Sequence, residues 1–347
     1  MPTVVYVACA GPTEIHRFAL DEDRGALAPL DVVAVPGHAG PSPSNLPMAF
    51  GPDHATLYAA LRTPPFPVTA FAVDPASGKL TARGTAPLPA PMAYIATGRG
   101  GGTLLGASYV NGLVSVSAIV SADVQAPPLR VIPTPPKAHC IIRGRRDDIV
   151  YATTVDGNAI LVFRHEETTD AATGELNPAQ PDRVVCRPGS GPRHLALHPR
   201  LAVLYCVNET AGTLAAFAVD DDGALGELQY ETLMPAGFTG NARAADLHVT
   251  PDGRFAYASV RATNAIGAFR IDPASGRLSR IALIDAEGSP RSFAIDPSGR
   301  FLICAGQTDN VVAVYAIDRD SGMLTRTQRV CVPENPSWVE TLALRSA

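Results

Sequence analysis

One short pattern recurs through the chain and constrains its fold more than any other feature. Pro251-Asp252-Gly253-Arg254-Phe255-Ala256-Tyr257-Ala258-Ser259 returns as Pro297-Ser298-Gly299-Arg300-Phe301-Leu302-Ile303-Cys304-Ala305. Each copy leads into an alternating strand, Ala265–Asp272 and then Val311–Asp318, and into a turn: Pro273-Ala274-Ser275-Gly276 and Arg319-Asp320-Ser321-Gly322. The same turn stands at Pro75-Ala76-Ser77-Gly78. Anchored on the second strand of each copy, the repeat falls at Tyr6, Tyr58, Leu105, Tyr151, Tyr205, Tyr257 and Ile303, with spacings of 52, 47, 46, 54, 52 and 46 residues. Four short strand-like runs fit within each copy, separated by Gly, Pro, Asp and Ser turns. Four strands in about 40–50 residues make one propeller blade. No segment keeps a helical apolar period over three turns. The sequence therefore predicts an all-β, seven-bladed β-propeller of four-stranded antiparallel blades, with residues 1–347 a single domain. The competing arrangement, a pair of β-sandwiches, would make seven evenly spaced copies a coincidence.

The two ends fit ring closure. The chain opens directly on a second strand within Met1–Ala10, and a first strand lacking its own blade follows at Pro336–Leu344. One blade shared between the N- and C-termini would close the ring and remove two exposed sheet edges. Trp338 in that strand is expected in the core. The acidic run His165–Asp170 reads as a solvated extension of an outer hairpin. No apolar run approaches the roughly 20 residues of a membrane span, and the apolar N-terminus lacks the basic start of a signal peptide. The six cysteines are scattered; Cys9, Cys206 and Cys304 sit in apolar strand patterns, as buried free thiols of a reducing, cytoplasmic compartment would. A net charge of −5 argues against a nucleic-acid partner. Only Lys79 and Lys137 are lysines, so anion binding falls to arginine.

In a propeller the innermost strand lines the central channel and the second strand returns beside it, so the start of the first and the end of the second share one rim. Four residues past each anchor stand Ala10, Arg62, Tyr109, Val155, Glu209, Arg261 and Gln307; twelve before it stand Ala93, His139, Arg193, Ala245 and Arg291. His139, Arg193, Glu209, Arg261, Arg291 and Gln307 thus converge from four consecutive blades. Tyr109 and Arg62 are the polar members of the opposite arc. Guanidinium pairs match carboxylate and phosphate geometry, and a His or Glu among them can move a proton. The expected ligand is a small anion. His194, next to Arg193, should point to the opposite face as a structural residue, and His198 reads as a turn residue.

The motifs that carry these residues resemble those of the lactonase-type seven-bladed propellers, which include bacterial 6-phosphogluconolactonases and fungal carboxymuconate lactonizing enzymes. They are Gly191-Pro192-Arg193-His194-Leu195-Ala196-Leu197-His198-Pro199, Val207-Asn208-Glu209, Val249–Arg254 leading to Arg261, and Ala138-His139-Cys140, similar to the family's Ala-His-Ser. The resemblance implies a His, an Arg, a Glu and a second Arg in catalysis, which map to His139, Arg193, Glu209 and Arg261. It implies hydrolysis of a sugar-acid lactone, with 6-phosphogluconolactone the default. No cofactor is expected and no metal, since the constellation lacks the several carboxylates or histidines that bound Ca²⁺ or Zn²⁺ would take. His139 or Glu209 would be the base, and Arg193 or Arg261 would stabilise the oxyanion. Arg291, Gln307, Arg62 and Tyr109 would bind substrate. Asp246, at the family's acidic position after Ala244-Ala245, would orient an arginine. A carboxymuconate-type cycloisomerase and a non-enzymatic binding propeller are the alternatives.

Overall fold

Short, near-continuous apolar runs bounded by turn residues leave a strand two faces to bury, which a blade wedged between two others provides. The computed structural model describes residues 2–37, 44–166 and 174–344, and among these every regular element is a strand. They form seven antiparallel sheets, six of them built in chain order from the inside outward and blade one opening on the last strand of the chain. The innermost strands of blades one to seven are Pro336–Ala343, Met48–Phe50, Tyr94–Thr97, Ala138–Arg143, Pro192–Leu197, Ala244–Val249 and Pro290–Ile295. Each packs against its neighbours in the adjacent blades, and together they ring the channel. The outer edge of blade three is divided between Asp123–Val124 and Arg130–Pro133. Pro127 and Pro128 lie between them and cannot donate to a ladder.

The ring closes as the repeat requires. Thr3–Cys9 pairs antiparallel with Pro336–Ala343, Thr3 opposite Ala343 and Val7 opposite Val339. Blade one thus joins the two ends of the chain. Among the described residues the core divides into seven apolar clusters, one in each groove between adjacent blades. Each fully buried Val, Leu or Phe there contributes roughly 1.5–3 kcal/mol.

The anchor tyrosines tie each blade to the next. Tyr6, Tyr151, Tyr205 and Tyr257 donate their hydroxyls to the carbonyl oxygens of Gly78, Gly223, Gly276 and Gly322 at 2.7–2.9 Å. Tyr58 reaches Ala122 at 3.0 Å. These acceptors sit in the outer hairpin turns of the following blade. The four glycines there have φ between +66° and +85°, a region that costs residues with a Cβ. Leu105 and Ile303, the other two anchors, have no hydroxyl to donate.

All six cysteines are free. No helix is long and apolar enough to cross a membrane. His165 and Glu166 end a strand, whereas residues 167–170 of the acidic run lie outside the described residues.

Candidate active site

The side chains at the start of the inner strands owe their direction to a recurring irregularity. In blade five Pro192 pairs with Asn208 and His194 with Val207, leaving Arg193 as an extra residue in the ladder. Arg291 is the extra residue of blade seven, between the pairs Pro290–Gly306 and Ser292–Ala305. In blade four His139 and Cys140 together oppose Thr153, and in blade six Ala245 and Asp246 oppose Ser259. Such bulges bend a strand and re-aim its side chains. Facing hydroxyls take up the freed amides: the Cys140 N–H donates to Thr153 Oγ1 at 3.1 Å and the Asp246 N–H to Ser259 Oγ at 2.9 Å. Thr153 Oγ1 in turn donates to the Arg193 carbonyl oxygen at 2.7 Å, which joins blades four and five at the site.

Glu209 stands at the centre. Its Oε1 accepts from Arg261 Nη2 at 2.8 Å. Its Oε2 lies 3.3 Å from Arg193 Nε, an ion pair in which neither atom makes a hydrogen bond. Arg193 is 2% exposed, and its Nη1 donates to the Ala245 carbonyl oxygen at 2.5 Å. Arg261 Nε is held by the Arg243 carbonyl oxygen at 2.9 Å. Burial alone would raise the Glu209 carboxyl, but Arg193, Arg261 and Arg291 outweigh it and hold it below its ordinary value. Burial and then Arg193 push Arg261 down to about 10, against the opposing pull of Glu209.

Arg291 differs from these two. It has no hydrogen bond or ion pair among the described residues. Burial, with Arg193, Arg261 and Arg62 behind it, holds its guanidinium well below the ordinary range. A guanidinium does not give up its proton in a protein, so this cost becomes demand for an anion. Four arginines act on one another here, with Glu209 the carboxylate among them.

His139 is buried beside the arginines, its Nδ1 without a partner. The Tyr109 ring meets it edge-on at 5.6 Å, and the His194 ring lies 5.2 Å away on its other side. Burial first, then the charge of Arg193, His194, Arg291 and Arg261, keeps its pKa well below the usual imidazole value. His139 is therefore neutral at pH 7.

The structure thus brings His139, Arg193, Glu209, Arg261, Arg291 and Tyr109 together. Arg62 reaches the same field from the opposite arc, its Nη1 donating to Ser44 Oγ at 2.7 Å. The Gln307 amide is already engaged, donating to Asn335 Oδ1 at 2.5 Å and at 3.3 Å to the carbonyl oxygen of Ser44, the residue that also holds Arg62.

Two sequence expectations need correction. Asp246 orients no arginine: its Oδ1 lies 2.7 Å from His194 Nδ1 and its Oδ2 accepts the Phe293 N–H at 2.9 Å. His194 does not turn away from the channel, because the extra residue at Arg193 breaks the alternation on which that reading depended. His194 and Asp246 instead help line a channel cavity of about 270 Å³, together with Tyr94, His248, Trp338 and Glu340. Trp338 is buried as expected, but in the channel, where its Nε1 donates to Glu340 Oε1 at 2.9 Å. Burial raises the Glu340 carboxyl to about 7. The available signal for this layer was the residue after each rim position, since His194, Asp246 and Ser292 are all polar. His198 is a turn residue, its Nδ1 accepting the Arg200 and Leu201 amides.

Comparison with known proteins places this geometry. The family model for the lactonase, 7-bladed beta-propeller, matches residues 4–341. A 6-phosphogluconolactonase of Serratia proteamaculans is 36% identical over 297 residues, 85% of this chain and 86% of the relative. A 6-phosphogluconolactonase of Yersinia pestis is 35% identical over the same length, 85% of each chain. Among solved structures, the periplasmic gluconolactonase of Pseudomonas aeruginosa superimposes with a TM-score of 0.90 at 27% identity, covering 99% of this chain and 100% of that one. With the family model spanning nearly all of its length, this chain belongs to the lactonase family of seven-bladed β-propellers.

Proposed function

We propose that the chain hydrolyses a sugar-acid lactone, 6-phosphogluconolactone before others, without metal, and that its whole ring serves this one site. The observation that carries the reading is the arginine group around Glu209, with Arg291 left uncommitted among the described residues. A phosphorylated substrate supplies the anion that Arg291 and Arg62 lack. The 6-phosphogluconolactonase names of the curated relatives support the phosphorylated substrate; the gluconolactonase neighbour supports the lactone ring without it.

The chemistry follows from how each group is held. Glu209 is engaged by two guanidinium groups and its carboxyl is lowered, which makes it a weak base and a good anchor. His139 is neutral, with a lone pair free to take a proton. Its basicity is suppressed by burial and by neighbouring cations, and an anion bound to those cations relieves the second cause. Substrate binding therefore raises the His139 pKa toward neutrality, where a general base works best. Water gives a proton to His139 as its oxygen bonds to the lactone carbonyl carbon. Arg261 or Arg193 stabilises the resulting oxyanion, a contribution of roughly 3–4 kcal/mol for a well-placed donor. The ring C–O bond then breaks, and the departing alkoxide recovers the proton from His139. One water is consumed and a hydroxy acid is released. The six free thiols favour a reducing compartment, and we assign the protein to the cytoplasm on that ground.

The test is acid release from a panel of lactones, phosphorylated and not, by the wild type and by His139→Ala. Turnover of 6-phosphogluconolactone that falls about 10²–10⁴-fold in the variant, with KM little changed, supports the reading. Cyclisation of muconates without lactone hydrolysis, or unchanged turnover in His139→Ala, overturns it.

A further inference from the structure

The channel beneath the arginines holds a buried chain of groups that the arginine site does not use. Asp246 Oδ1 lies 2.7 Å from His194 Nδ1 and also accepts the Leu247 N–H at 2.9 Å. An ionised carboxylate only accepts, so the single proton of a neutral His194 sits on Nδ1 and Nε2 is left as an acceptor. That Nε2 is buried and has no partner. The His139 ring packs against the His194 ring at 5.2 Å between centroids, and His139 Nδ1 is likewise buried and unpartnered. Each orphaned nitrogen carries a desolvation penalty. A proton on His139 Nδ1 shared with His194 Nε2 would satisfy both, whereas the other tautomer leaves both nitrogens as lone-pair acceptors without a donor.

We propose that Asp246 and His194 are positioning residues that keep the His139 proton on Nδ1, leaving Nε2 as the nitrogen that takes a proton from the attacking water. The water belongs to the lactonase reading, on which that half of the inference rests; the tautomer does not. The other groups facing His139 are Tyr109, Arg193, Arg261 and Arg291. The arginines donate and cannot accept, and Tyr109 meets His139 ring to ring. Of the ring nitrogens around it, His194 Nε2 is the unpartnered acceptor that can serve Nδ1. Asp246 is in turn held by the Phe293 amide of blade seven, so three blades fix the orientation of one imidazole.

The test combines nitrogen-15 NMR of the histidine rings with steady-state kinetics. His194→Phe keeps an aromatic ring against Tyr94 and Trp338 and removes both nitrogens. The wild type should show His139 protonated on Nδ1, and the variant should move that proton to Nε2. In parallel kcat should fall about 100-fold while KM stays within about twofold, and His194→Gln, whose amide oxygen accepts, should recover part of the loss. Should His194→Phe fold poorly, Asp246→Leu provides a second reading, because without the carboxylate the proton of His194 is no longer held on Nδ1 and the His139 tautomer is released. A wild-type His139 protonated on Nε2 sinks the proposal, as does a tautomer and kcat indifferent to either variant. Correct tautomers in a wild type that opens no lactone would leave the positioning intact and remove the lactonase reading instead.

Discussion

Blades four to seven and blades two and three are made from the same repeat, yet of these only the first group carries a β-bulge at the start of its inner strands, a feature shared by blade one at Ser337. In blades two and three the inner strands Met48–Phe50 and Tyr94–Thr97 pair without a register shift. The residues twelve before their anchors, Leu46 and Ala93, are apolar and buried. The bulged arc turns His139, Arg193 and Arg291 to one opening and gathers them around Glu209. A blade can thus serve as plain wall or as a mount for a charged side chain. The extra residue in the ladder re-aims the position, and the residue type there decides what it presents, since the bulges of blades six and one hold Ala245 and Ser337.

The sharpest test of that contrast is Glu209→Gln. It leaves Arg193 and Arg261 buried without a counter-charge, and loss of one partner from a buried pair costs about 3–5 kcal/mol. Denaturant unfolding should register most of this, whereas Val155→Thr at the equivalent offset of blade four should change little. The pH dependence has a definite sign. The folded Glu209 carboxyl is held below the ordinary value of 4.5, so its contribution is full above that value and disappears as pH falls through the lower folded pKa. Wild type should lose more stability than Glu209→Gln across that acid window. Equal acid sensitivity would mean the carboxylate is not holding the arginines.

A smaller effect separates the two arcs within the ligand site. Arg291→Met removes the uncommitted guanidinium, and a charged hydrogen bond contributes about 1.5–3 kcal/mol. KM for a phosphorylated lactone should rise by about ten- to a hundredfold, and KM for its unphosphorylated counterpart should barely move. Arg62→Met, from the arc where the guanidinium already holds Ser44, should raise the same KM less. The reverse order would place the anion on the wrong arc.

The smallest effect concerns the frame common to both. Tyr205→Phe deletes the bond to the Gly276 carbonyl oxygen and should lower stability by about 1 kcal/mol, with kcat untouched. Blades three and seven already manage with Leu105 and Ile303 at this position. A Tyr205→Phe protein as stable as wild type would show the hydroxyl to be dispensable everywhere.

The sequence was most legible where a residue's role follows from repetition. Seven anchors at near-constant spacing allow only a ring of similar sheets, and the unpaired strand at each end required the closure that Thr3–Cys9 and Pro336–Ala343 make. The rim residues were legible for the same reason, since equal offsets in equal modules reach equal places; His139, Arg193, Glu209, Arg261 and Arg291 follow from counting alone. Gln307 came from the same count, but the loop residues Ser44 and Asn335 take up its amide, and no offset encodes a loop partner.

What the chain alone determined, then, is the ring and the identity of the charges on its rim, because both depend on local pattern and length. What tertiary structure alone decided is where neighbouring side chains point and which of them are already spoken for. A bulge inserts one residue and cancels the alternation that a strand reading relies on, so His194 and Asp246 face the channel. Whether a guanidinium of the site is paired, as Arg193 and Arg261 are, or left for a ligand, as Arg291 is, depends on groups from other blades some 50 or more residues away in sequence, and only folding brings them within reach.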